Sequence, residues 1–170
     1  LAGRPSQTGA ATAAWPALQA ITDGAIGAAR ETADLLDRET MAMAVARLLG
    51  ARRIALAGFG ASAVTADYLN YKLTRLGLAS AVHADPHMAA MVAAAMDSSD
   101  ALVLISSSGS TLDAVRVATL ARERGAFVVA VTNRARSPLS AVADTTLVAA
   151  APETPLTGGA FTAKIGQFMV

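Results

Sequence analysis

The sequence predicts an α/β fold in which a five-stranded parallel β-sheet is covered by helices on both faces, with extra helices at the N-terminus. Short apolar runs alternate with stretches of helical period from residue 53 onward, which is typical of β-α-β units. Glycine, proline and aspartate residues stand at the boundaries between these segments. Because crossovers between parallel strands are right-handed, the simplest strand order is the flavodoxin-like order 2-1-3-4-5.

The N-terminal part is expected to precede the sheet. Residues 1–22 predict a linker or N-terminal extension, and residues 23–170 predict the folded domain. Within the extension, Leu1–Ala14 is small, polar and weakly patterned, and helical periodicity follows it. Asp37 is suited to cap a second helix, and Gly50 stands where that helix should end with a positive φ.

The strands and helices of the sheet region follow from apolar runs and from helix start and stop signals. The strands are expected at Arg53–Gly58, Ser80–Ala84, Ala101–Ile105, Ala126–Thr132 and Thr145–Ala150. The helices are expected at Ser62–Leu76, Pro86–Met96, Ser110–Arg124, Ser137–Ala143 and Gly158–Val170. Pro86 and Pro138 suit the first turn of a helix, whereas Gly77 and Gly125 suit the residue after one.

The composition excludes several classes of function. Of the 170 residues, 14 are basic and 13 acidic. The resulting net charge of +1 does not indicate a surface that binds nucleic acid. With no cysteine, a disulfide framework, a zinc-thiolate site and a cysteine nucleophile are excluded, and two histidines make a polyhistidine metal site unfavourable. No cofactor is expected.

The sequence also bears on location and completeness. No apolar stretch reaches the roughly 20 residues that a membrane span needs, and the N-terminus does not resemble a signal peptide. We therefore expect a cytoplasmic protein with no membrane partner. The chain begins at Leu1 rather than at methionine and its last helix has no cap, which predicts a fragment of a longer protein.

Two polar, glycine-rich loops carry the strongest functional signal. Gly58-Phe59-Gly60-Ala61-Ser62 follows the first strand, and the serine loop, residues 106–111 (SSSGST), follows the third. In the predicted order these strands are neighbours, so both loops border the crevice where ligands bind in open parallel sheets. The serine loop opens a helix, whose free N–H groups and dipole favour an anion. Because it contains no lysine or arginine, it would bind a phosphate through neutral donors.

Two other interpretations of these loops remain open. Ser110 and Asp113 fit a capping box, which accounts for those two residues but not for the three preceding serines. The first loop, with Ala63 in the third glycine position, nearly fits a dinucleotide-binding fingerprint, with Asp85 as its acidic residue. That motif is weak alone and leaves the serine loop unexplained.

The two loops together resemble the SIS, or sugar-isomerase, domain. The segments AVTNRARSPLSAVAD (130–144) and APETPLTGGAFTAKIGQFMV (151–170) resemble its fourth strand with the Ser-Pro-Leu turn, and its glutamate with the last helix. Ala51–Ile54 and Asp85–His87 are most similar to RpiR-type transcriptional regulators. The resemblance covers about residues 23–170.

The resemblance implies a phosphosugar site. Its expected residues are Gly60, Ser62, Ser106, Ser107, Ser108, Gly109, Thr111 and Glu153. The phosphate would bind to the hydroxyls of the serine loop, and Glu153 would lie near the sugar hydroxyls. Ser110 stands where the family often has glutamate, and Lys164 where these regulators commonly have arginine. His87 is a candidate contribution from a partner subunit.

The expected function is therefore effector sensing: a phosphosugar-binding domain of an RpiR-type bacterial regulator. It would form a homodimer or higher homo-oligomer and meet DNA only through an N-terminal helix-turn-helix domain absent from this sequence. The alternative is a sugar-phosphate isomerase of the same fold, for which Glu153 is the first candidate base, ahead of His83 and His87. A dinucleotide-binding domain is the third.

Overall fold

The computed structural model describes the backbone of residues 7–150 and 161–170 and the side chains of 14–150 and 163–170. The strands are β1 (Ile54–Gly58), β2 (Ser80–His83), β3 (Ala101–Ile105), β4 (Phe127–Thr132) and β5 (Thr145–Val148). The helices are α1 (Gln7–Leu35), α2 (Arg38–Leu49), α3 (Ala61–Arg75), α4 (Pro86–Ala94), α5 (Leu112–Glu123), α6 (Pro138–Val142) and α7 (Phe161–Met169). The predicted elements from residue 53 onward are confirmed, with small shifts at their ends.

The sheet is parallel and has the predicted order β2-β1-β3-β4-β5. Gly58 at the end of β1 is paired with Ile105 at the end of β3, and Ile105 is paired with Val131 of β4. The chain therefore leaves β1 and β3 side by side at the carboxyl edge of the sheet. This is the position at which the sequence predicts a ligand crevice.

Each face of the sheet has its own apolar core, because the central strands are buried on both sides. On one face, Leu102, Leu104 and Val128 pack against helices α4, α5 and α6. On the other face, Leu56 and Val129 pack with residues of α2 and α3. Many of the buried helical residues are alanines, which let the helices lie close to the sheet.

The N-terminal part begins with a long helix. The sequence predicts a linker or N-terminal extension over residues 1–22, and within it α1 begins at Gln7 and runs for 29 residues with Pro16 inside it. Alanine-rich sequence has the highest helix propensity, which outweighs the weak hydrophobic pattern there. The helix is tied to the rest of the fold by Thr32, whose buried Oγ1 accepts a hydrogen bond from the Ala150 N–H at 3.0 Å.

The ends of α2 show one confirmed and one wrong prediction. Asp37 is the N-cap residue and accepts a hydrogen bond from the Thr40 N–H at 2.7 Å, as predicted. Gly50, however, has a φ of −86° rather than a positive φ, because a right-handed turn closes the helix through its N–H to the Ala46 carbonyl. The left-handed glycines that end helices are Gly77 and Gly125.

An ion-pair cluster lies at the amino edge of the sheet. Arg52 and Arg53, whose side chains are about half exposed, both bind the fully buried carboxylate of Asp100, Arg53 at 2.9 Å. Asp97 completes this amino-edge cluster by pairing with Arg52. Burial acts to raise the pKa of Asp100, but the hydrogen bonds from Arg53, the Asp97 N–H and Arg52 together outweigh it and lower that pKa.

Candidate functional site

A cavity of about 290 Å³ lies at the carboxyl edge of the sheet, where the two predicted loops meet. It is lined by Phe59, Ala61, Ser62, Ile105, Ser106, Ser107, Ser108, Thr111, Ala114 and Lys164. The structure therefore brings together the five hydroxyl residues that the sequence predicts for the site, and adds a lysine from α7. We call this arrangement the carboxyl-edge site.

The first loop is shaped by two glycines. A Cβ atom on Gly58 would lie 2.6 Å from the backbone oxygen of Ser62, so only glycine lets α3 begin this close to the end of β1. Gly60 has a positive φ of 59° and directly precedes α3. The resulting tight turn places Ser62, which is 7% exposed, at the wall of the cavity.

The serine loop is fixed by contacts to the next strand and helix. The Ser107 carbonyl accepts hydrogen bonds from the Asn133 N–H at 3.0 Å and from the Thr132 hydroxyl at 3.2 Å. Gly109 has a φ of 62°, and a Cβ atom there would collide with the Ser137 side chain at the start of α6. The loop is thus preorganised by its neighbours.

The predicted capping box is wrong. Thr111, rather than Ser110, is the N-cap residue of α5, and its side chain makes no capping hydrogen bond. The Ser110 hydroxyl instead donates back to the Ser108 carbonyl at 3.2 Å, because the loop turns at Gly109 before the helix begins. The Thr111 hydroxyl lies 3.4 Å from the Ser106 hydroxyl, beside the cavity.

Lys164 connects the two loops. Its Nζ donates to the Ser107 hydroxyl at 3.2 Å and to the Ser62 hydroxyl at 3.4 Å, although the side chain is only 8% exposed. The helix that carries it lies close to its neighbours, since a Cβ on Gly166 would be 2.6 Å from the Ala150 carbonyl oxygen and 2.9 Å from Thr32 Oγ1. This close approach of α7 places a cation against neutral hydroxyls.

Sequence reasoning missed two residues of the site, Gln167 and Asn133. Gln167 is 3% exposed, and its Nε2 donates to the Ser107 hydroxyl at 2.9 Å and to Asn133 Oδ1 at 2.8 Å. The sequence nevertheless contains a signal for each of them. Asn133 directly follows β4 at the same edge of the sheet, and Gln167 lies three residues after Lys164 on the same face of a helix.

Several other predicted residues lie elsewhere. His87 lines a separate groove between α4 and α5, with Asp113 and Arg116. His83 ends β2, where partial burial and then the charge of Arg53 lower its pKa. The Asp85 carboxylate accepts from the Met88 N–H at 2.8 Å and so caps α4, although the dinucleotide alternative needs it for a ribose. Glu153 falls outside the described residues.

The chemistry of the carboxyl-edge site is that of an anion receptor. Its described lining residues supply hydroxyl donors and one ammonium group but no carboxylate or imidazole. The uncapped start of α5 adds backbone N–H groups beside them. In the part of the chain that the structure describes, no group of three or more histidine, cysteine or acidic residues could hold a metal ion.

Comparison with known proteins decides the family. Residues 47–170 match the SIS domain. The chain belongs to the SIS domain family. This SIS domain is 36% identical over 140 residues to an uncharacterized HTH-type transcriptional regulator of Haemophilus influenzae, covering 82% of this chain and 49% of the relative. It is 30% identical over 157 residues to the HTH-type regulator YbbH of Bacillus subtilis, covering 91% and 56%. The chain spans about half the length of the curated relatives it matches.

Solved structures agree with this assignment. The Vibrio vulnificus NanR protein, solved in complex with ManNAc-6P, is 40% identical, with a TM-score of 0.86 over 89% of this chain and 57% of that one. The sugar isomerase domain of an RpiR transcription factor from Sphaerobacter thermophilus shares the fold, with 24% identity and a TM-score of 0.77 over 88% and 85%. In the SIS domain as described, no helix is long and apolar enough to span a membrane.

Proposed function

We propose that this SIS domain is the effector-binding domain of an RpiR-type transcriptional regulator and that its effector is a sugar phosphate. The observation that carries the proposal is the bridge from Lys164 to Ser62 and Ser107, which joins the two loops into one donor-lined cavity. Its likeness to HTH-type regulators and to NanR, which was solved with ManNAc-6P, supports the same function.

The phosphate would bind to the serine loop. Hydroxyls of Ser106, Ser107, Ser108 and Thr111 would donate to its oxygens, together with N–H groups at the start of α5. Lys164 would supply the positive charge that the loop itself lacks. The sugar would extend toward Gly60 and Ser62, and Glu153 is proposed near its hydroxyls by resemblance to the family.

Signalling would work through the geometry of a homodimer. A ligand changes the spacing of attached DNA-binding domains only if it binds one arrangement of the subunits better than another. Trp15, Leu18 and Ile21 of α1 are each at least half exposed, and we propose that a partner subunit covers them. DNA would be contacted by a helix-turn-helix domain of the longer protein, in the cytoplasm, and His87 is proposed to reach a partner's site.

We further propose that the domain does not catalyse isomerisation. An aldose–ketose isomerase needs a base within reach of two adjacent carbons. None of the described lining residues is a carboxylate or a histidine, which favours binding over catalysis. Glu153 is the candidate base of the alternative. Turnover of a sugar phosphate that is abolished by Glu153→Gln would replace the regulator proposal with an enzyme.

A thermal-shift screen tests the proposal. The panel contains hexose, pentose, amino-sugar and keto-acid phosphates, with NAD and inorganic phosphate for comparison. A ligand that binds only the folded state stabilises it by about 2.7 kcal/mol at a concentration of 100 Kd, so we expect a clear rise in Tm with one class of phosphosugar. A shift with NAD alone, or with nothing, contradicts the proposal.

A further inference from the structure

We infer that Gln167 fixes the direction in which the Ser107 hydroxyl donates, and that this makes the carboxyl-edge site selective for a fully deprotonated phosphate. The inference rests on the proposed function, because it concerns how the same cavity tells one ionisation state of its ligand from another. It adds a specificity-determining residue that does not itself line the cavity.

The amide of Gln167 has one orientation that satisfies all its partners. Its Oε1 accepts from the Lys164 ammonium at 2.8 Å, and an ammonium is a donor only. Its Nε2 therefore faces Ser107 and Asn133. Asn133 is oriented in turn, because its Nδ2 donates to the Ala149 carbonyl at 2.8 Å, which leaves Oδ1 to accept from Gln167. The orientation of each amide is therefore fixed by a hydrogen bond at its other atom, from Lys164 to Gln167 Oε1 and from Asn133 Nδ2 to Ala149.

In this orientation, both acceptor lone pairs of the Ser107 hydroxyl are occupied. A serine hydroxyl has two acceptor lone pairs and one O–H donor. The Ser107 oxygen accepts from Gln167 Nε2 at 2.9 Å and from Lys164 Nζ at 3.2 Å. Only its O–H remains, and Ser107 lines the cavity. Whatever occupies the cavity beside Ser107 must therefore accept a hydrogen bond from it.

Neighbouring hydroxyls also keep an O–H donor. The Ser62 oxygen accepts from Lys164 at 3.4 Å, and the Ser108 oxygen accepts from the Ser110 N–H at 3.2 Å, so each retains its O–H together with one lone pair. A phosphate monoester loses its second proton near pH 6, and below that pH it carries a P–OH donor. Such a donor finds no acceptor at Ser107, whereas a dianion accepts from the Ser107 O–H.

Few of the described residues at the carboxyl-edge site can titrate and so change the pH dependence of binding. Among the described residues that line the cavity, Lys164 is the only titratable one. Asp113 of α5 and His87 of α4 line the separate groove between those helices. Tyr68 and Lys72 of α3 line an apolar cavity of about 180 Å³ on the other side of Gln167. Glu153, outside the described residues, and His87 of a partner subunit are proposed to reach the ligand as well, so Glu153→Gln and His87→Asn are used to separate their titration from the ligand's own ionisation.

The apolar cavity behind Gln167 makes a graded pair of substitutions practicable. Met41, Leu69 and Phe168 also line it, so a methionine at position 167 keeps the volume and has apolar neighbours. Gln167→Met removes both hydrogen bonds from Nε2, together with those that Oε1 accepts from Lys164 and Thr65. Gln167→Glu reverses the hydrogen bond to Ser107, because a carboxylate accepts from the Ser107 O–H and draws it away from the ligand.

The first experiment is a double-mutant cycle in calorimetric titrations with N-acetylmannosamine 6-phosphate and, separately, inorganic phosphate. We expect Ser107→Ala to weaken binding roughly tenfold, Gln167→Met roughly threefold to tenfold, and Gln167→Glu more than either. In a Ser107→Ala background, Gln167→Met should weaken binding no further. Gln19→Glu adds the same charge on an exposed face of α1 and should leave affinity unchanged.

The second experiment keeps Gln167 and Ser107 and so does not depend on how their variants fold. Affinity for N-acetylmannosamine 6-phosphate should fall about tenfold between pH 7.5 and pH 5, as the monoester takes up its second proton, in the wild type and equally in Glu153→Gln and in His87→Asn. A flat profile, or equal losses from Gln167→Met with and without the Ser107 hydroxyl, overturns this inference while leaving phosphosugar binding intact. If the wild type binds no phosphosugar of the thermal-shift panel, the proposed function itself fails.

Discussion

The two edges of the sheet carry polar clusters of opposite character. At the amino edge, the buried Asp100 carboxylate receives hydrogen bonds from Arg52, Arg53 and the Asp97 N–H, so charges of both signs meet at close range. At the carboxyl edge, Lys164 is held by hydroxyls and an amide, and the described lining residues contain no carboxylate.

The contrast shows how a structural cluster differs from a receptor site. The amino-edge cluster satisfies its carboxylate internally and joins the loop before β1 to the loop before β3, so its contribution is to stability. In the described part of the carboxyl-edge site, the hydroxyls of Ser62, Ser107 and Ser108 accept hydrogen bonds but donate none, and a cavity lies in front of them. Substitutions at the two edges should therefore separate stability from binding.

The largest effect is expected for Asp100→Asn. The variant leaves two arginines facing a neutral amide, and removing one partner of a buried pair costs up to about 5 kcal/mol. Because both arginines are about half exposed and stay hydrated, we expect a loss of about 3 kcal/mol in unfolding free energy, measured by denaturant titration. Phosphosugar affinity should not change. The matched variant Asp67→Asn, on the exposed face of α3, should unfold like the wild type.

Lys164→Met should show the reverse pattern. Losing a charge-assisted contact weakens phosphosugar binding by about 2 to 3 kcal/mol, or at least thirtyfold, in calorimetric titration. Tm should fall less than in Asp100→Asn, because the hydroxyls and the amide that contact Lys164 are neutral. Lys72→Met serves as the control, because Lys72 is exposed and lines the apolar cavity rather than the carboxyl-edge site. A drop in Tm with unchanged affinity would place Lys164 in a structural cluster like that of Asp100.

Ser108→Ala and Thr111→Ala should each weaken phosphosugar binding, but by less than Lys164→Met does. Each removes one hydroxyl donor to the phosphate, and we expect about 1 to 2 kcal/mol of lost binding energy with little change in stability. Ser110→Ala removes an exposed hydroxyl of the same loop that does not line the cavity. Wild-type affinity in both site variants would remove the serine loop from the binding site.

The smallest effect is expected in how the unfolding free energy changes at acidic pH. The pKa of Asp100 is lowered in the folded chain, so its contribution to stability is complete above the ordinary aspartate pKa of about 3.9 and is lost as the pH falls through the lower, folded value. Unfolding free energy measured from pH 7 to pH 2 should therefore show an acid loss that is reduced in Asp100→Asn. An identical acid profile in the two proteins would contradict the stabilising role of this carboxylate.

The sheet and the two loops could be predicted because their signals are local. Apolar runs mark β1, β3 and β4, and right-handed crossovers leave few strand orders. The positions of Ser62 and of the serine loop then follow from the order alone. The resemblance to the SIS domain adds Lys164 through its place in the last helix.

The wrong or missed predictions depend on contacts between distant parts of the chain. Nothing near Arg52 shows that Asp100 lies beside it, and nothing near Gln167 shows that Ser107 lies within 2.9 Å. Ser110 fits a capping box locally, but the turn at Gly109 moves the start of α5 to Thr111. The helix over the predicted extension follows from its propensity and from its tertiary contact with α7, and the weak hydrophobic pattern there shows neither.

The most direct test of the account is a crystal structure of the domain with the phosphosugar that raises its Tm most. We predict that the phosphate lies against the serine loop and within hydrogen-bonding distance of Ser107, Ser108 or Thr111, with Lys164 as the nearest cation. A phosphate bound elsewhere, such as in the groove of His87 and Arg116 between α4 and α5, would contradict the assignment of the carboxyl-edge site.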